Sequence, residues 1–331
     1  MKKIFAVILC IFILVLGSAC TGSAVTDPFD TEPPWGTPTN AYEKCTYGIE
    51  VFRADDSDNT VLADGTFTQT LSASGEGINN RVAVDSALNV VWKELDAGNI
   101  NKGKTDEMNS TVLFKRTGMT PVSSKKTMVM EPRTDTDGKI YNHSYEYTVN
   151  YENLTGEIKF NNDTSGTGIE TKTYSIKSGT NYDNEQLFYL LRSFKNLNID
   201  APVTFSLNNI AENFIRGNNA PFSLTASTVR ESEKTLGDFI DFADDYINNY
   251  EKPEVSDVLR VSLRLNDKNP GPMHTFYMAA PSLKFGKGNL KTTKLIVGYE
   301  YTVFDAKNAC TYRYVYTLTD YTTKQNIEIL P

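Results

Sequence analysis

Four cysteines and two histidines are the residues of this 331-residue chain best suited to nucleophilic, redox or metal chemistry. Their surroundings leave them little of it to do. His143 stands in Tyr-Asn-His-Ser and His274 in Pro-Met-His-Thr. Neither belongs to an H-E-x-x-H, and there is no C-x-x-C and no third ligand nearby, so the sequence offers no zinc site. No G-x-S-x-G marks a nucleophile for a Ser-His-Asp triad. Ser123-Ser124-Lys125-Lys126 has the S-x-x-K spacing of penicillin-binding enzymes, but the partner motif K-T-G is missing. Pro121 precedes this run and a strand-like stretch follows, so it reads as a turn opening onto an exposed strand. Asp135-Thr136-Asp137-Gly138 imitates the start of a calcium loop, yet Lys139 and Ile140 stand where an oxygen ligand and a glycine are needed. A hairpin turn at Asp137-Gly138 is the better reading. Asp238, Asp241, Asp244 and Asp245 are read as a solvated face. No catalytic residue, metal or cofactor is assigned, and the expectation is a protein that is not an enzyme.

Cys20 carries the one specific chemical assignment. Met-Lys-Lys, an apolar run from Ile4 to Leu16 and Gly17-Ser18-Ala19 precede it. This is the order of a secretory signal: basic start, short apolar core, small residues at the cleavage point. The run is too short to span a bilayer, which takes about 20 apolar residues. A cysteine directly after the small residues resembles the lipobox of bacterial lipoproteins, in which the thiol carries a diacylglycerol. Gly17 departs from the usual leucine there, with Leu16 one place earlier. Two acyl chains, each gaining about 0.8 kcal/mol per buried CH₂, make a stable anchor. The expected domains are a signal peptide over 1–19, a lipidated Cys20 with a tether over 20–42, and one β-rich domain over 43–331. Pro28, Pro33, Pro34 and Pro38 keep the tether extended. The expected place is the outer face of the cytoplasmic membrane of a Gram-positive-like bacterium. Cleavage after Ala19 without a lipid is the alternative, for a secreted or periplasmic protein.

Cys10 leaves with the signal, so Cys45 and Cys310 remain. Each stands in a strand-like Cys-Thr-Tyr near one end of the folded region. An oxidising compartment permits a bridge between them, and closing so long a loop would stabilise by roughly 4 kcal/mol or more. Two separate buried thiols are the alternative. The formal charge is −8, two units more negative once Lys2 and Lys3 are gone. With no basic stripe, nucleic acid is excluded as a partner.

The elements that must position these residues are mostly strands. Tyr47–Arg53, Thr66–Ser72, Asn89–Leu95, Thr111–Lys115, Lys126–Met130 and Ile140–Val149 are rich in aromatic and β-branched residues. Tyr145, Tyr147 and Val149 alternate with polar neighbours, as do Tyr312, Tyr314, Tyr316 and Leu318. The close succession of runs favours antiparallel pairing. The spacing of Leu187, Leu190, Leu191 and Phe194 predicts a helix over 183–196, with Asp183 and Gln186 as its capping box. A second helix is predicted over 236–250. The fold class is therefore mainly β: a large curved antiparallel sheet or half-open barrel with one or two short helices on or in it.

Met119-Thr120-Pro121-Val122-Ser123-Ser124-Lys125, then the Tyr-Asp-Asn-Glu-Gln-Leu helix, then Gly271-Pro272-Met273-His274-Thr275-Phe276-Tyr277-Met278-Ala279 and a Tyr-rich closing strand follow in order. Over residues 43 to 325 this order resembles the extracytoplasmic β-sheet family called domain of unknown function 3108, in its lipoprotein form. That family is in turn similar to the half-open barrels of lipoprotein carriers. The resemblance implies a curved sheet around an apolar cavity for a lipid or other amphipathic small molecule. Leu187, Leu190, Leu191, Phe194 and Tyr277 would line that cavity, and the helix would act as a lid. An envelope structural or protein-interaction module with a solid core is the alternative.

Overall fold

The computed structural model describes residues 42–74, 81–93, 101–134, 138, 140–141, 144–161, 169–179, 181–194, 202–211, 221–240, 257–265, 274–283, 285, 293–305 and 309–324. The signal, Cys20, the tether, Asp135 to Asp137, His143 and residues 241–250 lie outside them.

Strands form wherever apolar and polar residues alternate. In β1 (Tyr42–Arg53), Cys45, Tyr47, Ile49 and Val51 are buried and the residues between them are more exposed. The same rule builds β2 (Ala63–Ser74), β3 (Arg81–Trp92), β4 (Thr105–Lys115) and β5 (Pro121–Met130). After it come the short β6 (Arg133–Thr134) and β7 (Ile140–Tyr141), then β8 (Tyr145–Asn150), β9 (Thr155–Asn161), β10 (Ile169–Ser175) and β11 (Asn181–Asp183). The second half holds β12 (Val203–Asn208), β13 (Phe222–Arg230), β14 (Val258–Leu265), β15 (His274–Ala279), β16 (Ile296–Asp305) and β17 (Cys310–Lys324).

Fifteen of these strands join one sheet in the order β10-β9-β8-β5-β4-β3-β2-β1-β17-β16-β15-β14-β13-β12-β11. Its ladders are antiparallel except for β11 with β12. The first half of the chain meanders outward on one side of β1 and the second half meanders back to β17. The β1–β17 ladder, from Tyr42 opposite Lys324 to Arg53 opposite Tyr312, stitches the halves together. Register shifts at Thr46/Tyr47, Leu113/Phe114 and Tyr277/Met278 add the local twist that bends a sheet.

The bend nearly closes the sheet. β11 stands at one end of the strand order, and β5 and β8 stand near the other. Yet Tyr151, just past β8, donates to Asp183 of β11 at 2.6 Å. Lys126 of β5 meets Glu185, two residues beyond, at 2.9 Å. Only a curled, barrel-like sheet brings these positions together. The seam is made by side chains instead of a backbone ladder. Ile210 packs there with Tyr147, Val149, Ile158 and Ile176 in a small second core.

Helix α1 (Leu187–Arg192) enters the barrel through this seam. A 3-10 turn over Asn184–Gln186 leads into it, and the capping box is present. The Glu185 amide donates to Asp183 at 2.8 Å and the Gln186 side chain accepts from the Asp183 amide at 3.3 Å. The helix is shorter than its spacing predicts, and it is no lid with one covered face. Phe188, Tyr189 and Arg192 are buried along with Leu187, Leu190 and Leu191. A helix apolar nearly all round is one that is surrounded, and here the sheet surrounds it.

Other expectations change in detail. The Ile140–Val149 run is two strands, β7 pairing with β6 and β8 with β5 and β9. The expected turn at Asp137-Gly138 falls largely outside the described residues, between β6 and β7, which pair antiparallel. Ser123 to Lys126 lies inside β5, so Ser123 and Lys126 point to opposite faces and the S-x-x-K geometry is lost. In the 236–250 region the described part is a 3-10 turn, Leu236–Asp238, capped by Thr235 and Asp238.

The proposed bridge between Cys45 and Cys310 is absent, and both cysteines are free and buried. The ladder explains why. Cys45 stands opposite Tyr321, whereas Cys310 begins β17 beyond Tyr312. Eleven residues of strand, at about 3.3 Å each, put the thiols roughly 35 Å apart, far outside disulfide reach. Hydrogen bonds between β1 and β17 do the stapling.

Candidate functional site

Inside the barrel, between the start of α1 and the sheet, lies a cavity of about 300 Å³. It spans both halves of the sheet because β1 and β17 hold them side by side. One wall is a tyrosine ladder. Tyr299 and Tyr301 of β16 and Tyr314 and Tyr316 of β17 are spaced by two, so all four face inward. Tyr301 and Tyr314 stack at 4.8 Å with their rings 9° apart, and Tyr299 and Tyr301 at 5.2 Å. Burial raises the pKa of each of these phenols above the ordinary tyrosine value, so they stay protonated hydrogen-bonding groups.

The facing wall is aliphatic and thioether in character: Leu88, Val90, Met108 and Met128, from β3, β4 and β5. Phe188 of α1 closes the inner end. It meets Phe276 and Tyr299 edge-on, each at 5.2 Å, and Tyr47 at 5.7 Å. Such edge-to-face pairs are each worth about 0.5–1.5 kcal/mol beyond area burial, so this end is rigid.

Polar groups enter at defined points. Lys126 projects from the inner face of β5 and pairs with Glu185. Tyr147 and Asn184 also donate to Glu185 Oε1, at 3.4 and 3.3 Å. Burial pulls the lysine pKa down, but Glu185, with Tyr145 and Asp183, outweighs it, and the ammonium is held more firmly than in water. Burial pushes Glu185 up, and Lys126 with its hydrogen bonds brings it below the usual carboxylate value. Both are therefore ionised at neutral pH. Asp106 also faces the cavity, and it accepts from Arg133 at 2.6 Å and from Trp92 Nε1 at 2.9 Å. His274 shares a 2.7 Å hydrogen bond between its Nδ1 and the Tyr299 hydroxyl. Desolvation lowers its pKa to about 4, so the ring is neutral. Asp183, behind the cavity at the seam, is raised to about 6 by burial and then by the nearby Glu185.

Of the residues expected to line a cavity, the structure places Leu187 there. Leu190, Leu191 and Phe194 are fully buried in the core beyond it, with Phe194 against Phe205. Tyr277 is a plain correction. It follows Phe276 on β15 and so points to the other face of the sheet, where it packs on Phe239 at 4.8 Å with the Lys234 ammonium over its ring. Gly298 makes room for that packing, since a Cβ there would fall 2.5 Å from the Phe239 ring. Sequence reading missed Lys126, Glu185, Phe188 and the tyrosine ladder as site residues. A lone lysine between Ser124 and Met128 on the buried face of a strand was the signal.

Two other hollows, of about 690 and 470 Å³, lie on threonine-rich strand faces with a single aromatic, Tyr174, between them. They lack the apolar walls of a small-molecule site. Among the described residues no three His, Cys, Asp or Glu gather as metal ligands, and no helix is long and apolar enough to cross a membrane.

No family model and no curated protein matches the chain. Among solved structures it is similar to a β-barrel-like protein of domain of unknown function DUF1849 from Brucella abortus, at 8% identity over 87% of this chain and 100% of that one, with a TM-score of 0.42.

Proposed function

We propose that this is a membrane-anchored bacterial lipoprotein, held by a diacylated Cys20, that binds an amphipathic small molecule inside its barrel and performs no chemistry on it. One observation carries the reading: a partly open cavity with aromatic and aliphatic walls and a few convergent polar groups, which is the usual form of a small-ligand site. The element order that resembles domain of unknown function 3108 and the lipoprotein carriers supports it. So does the leader ahead of Cys20. At about 300 Å³ the cavity sits at the lower end of the range for ligand sites, about 300–1,000 Å³. It suits one compact molecule better than a two-chain lipid. The driving force is apolar burial, about 25 cal/mol per Å² before association costs. A solid-core envelope module, the alternative, leaves this cavity without a use.

Native mass spectrometry of the full chain, expressed in a Gram-positive host and extracted in mild detergent, tests the reading. The expected spectrum shows the chain cleaved before a diacylated Cys20, with a co-purified small molecule that leaves on activation. An unlipidated chain would remove the anchor, and a chain that never carries or accepts a small amphipathic molecule would remove the binding role.

A further inference from the structure

We infer that the cavity selects an uncharged, hydroxyl-bearing aromatic molecule of one or two rings, a phenol-like amphiphile, read by the Lys126–Glu185 pair. This rests on the binding role proposed above and names its ligand class.

Charge is the first argument. The ionised groups on the cavity wall are matched: Lys126 with Glu185 at 2.9 Å, and Asp106 with Arg133 at 2.6 Å. His274 adds none, since desolvation keeps it neutral. A ligand carboxylate at Lys126 would face Glu185 within a few ångströms, and a ligand ammonium at Glu185 would face Lys126. Either ion would be desolvated without a free counter-charge. A hydroxyl meets no such conflict. It can accept from the ammonium and donate to the carboxylate together, and the two groups stand side by side as a hydroxyl requires.

Shape and volume supply the second argument. The ladder presents protonated phenols held in near-parallel stacks, which receive a flat ring by offset stacking or by its edge. A buried apolar cavity of about 150 Å³ holds one benzene, and this one is about 300 Å³. That leaves room for a ring with a short tail or for two fused rings.

Calorimetric titration of the full chain, solubilised in mild detergent, with four probes of one skeleton tests this: 4-butylphenol, 4-butylbenzoate, 4-butylbenzylammonium and butylbenzene. The phenol is expected to bind at least tenfold more tightly than each of the others. Lys126→Met should then improve the ammonium relative to the phenol, and Glu185→Gln should improve the benzoate. The wild-type series stands alone if either variant fails to fold. Equal or tighter binding of a charged probe, or of butylbenzene, overturns the ligand class and leaves the binding role standing. Binding of none of the four overturns the ligand class, and the absence of any co-purified molecule in the native mass spectrum beside it overturns the binding role.

Discussion

The Glu43–Arg192 and Lys126–Glu185 pairs both tie the segment 183–192 to the inner face of the sheet, one at each end of it. At the far end, Arg192 grips both oxygens of Glu43 at 2.5 and 3.1 Å, and Tyr321 donates to the same carboxylate at 3.2 Å. Those side chains are 2% and 4% exposed. At the near end a lysine touches one oxygen of Glu185, and the lysine side chain is 15% exposed, toward the cavity. The guanidinium fork is planar and bidentate, whereas the ammonium is a point charge with donors to spare. The first pair is sealed in the core, away from the cavity. The second keeps hydrogen-bonding capacity for a guest. One short helix is thus clamped at one end and left able to recognise a ligand at the other.

The sealed pair should give the largest effect when broken. Glu43→Gln or Arg192→Met leaves a lone charge where no water reaches, and the expected loss in urea unfolding is about 3–5 kcal/mol. The double variant should lose much less than the sum of the two. If either single change costs under 1 kcal/mol, the sealed end is not sealed.

Packing gives the next contrast. Leu190 is fully buried beyond the cavity, and Leu187 lines it. Leu190→Ala opens a new void, at about 3–4 kcal/mol. Leu187→Ala only enlarges a hollow that already exists, and about 1–2 kcal/mol is expected, since less packing is lost there. Equal losses would mean that the cavity collapses in solution.

Asp183 makes the seam sensitive to pH. Its carboxyl is raised from 3.8 to about 6 in the folded chain. The unfolded chain therefore releases this proton first, and stability falls as pH rises from about 4 through 6, by roughly 3 kcal/mol in all at 1.4 kcal/mol per unit. Asparagine can still cap the turn but cannot ionise. Asp183→Asn should therefore gain on the parent by about that amount between pH 4 and pH 7, measured as the difference of two unfolding curves. A parallel pH dependence for parent and variant would show the carboxyl to be solvated.

What the sequence showed and what it hid divide along the same line. Period-two runs marked the inward faces of β8 and β17, and Asp183 with Gln186 marked the capping box. These are local patterns, each readable within a few residues. The curl of the sheet is not local. It depends on β11 reaching β5 and β8 from the other end of the strand order, and so the Lys126–Glu185 pair, 59 residues apart, could not be read in advance. The placement of Tyr277 failed for a related reason. Period two separates it from Phe276, but which of the two faces inward is settled by what covers the outer face, here Phe239.

The two free cysteines offer the smallest expected effect, and a sharp one. Cys45 lies in the sealed region, beside Glu43, and burial then the Glu43 charge drive its thiol well above the ordinary value. Cys310 sits at the far end of the β1–β17 ladder, where burial raises its thiol as well. Neither forms much thiolate at neutral pH, and both should react slowly until the chain unfolds. Adding a reductant to the native protein should change its unfolding free energy by less than about 0.5 kcal/mol, because there is no bridge to break; a bridge closing so long a loop would be worth roughly 4 kcal/mol. Alkylation after denaturation without reductant should modify both thiols. A fall of several kcal/mol on reduction, or two blocked thiols, would require a ladder register that brings β17's first residue beside Cys45. That register would also move Tyr314 and Tyr316 out of line with Val51 and Ile49 of β1, and so shift the tyrosine wall against the strands that complete the cavity. The thiol count therefore tests the cavity as well as the cysteines.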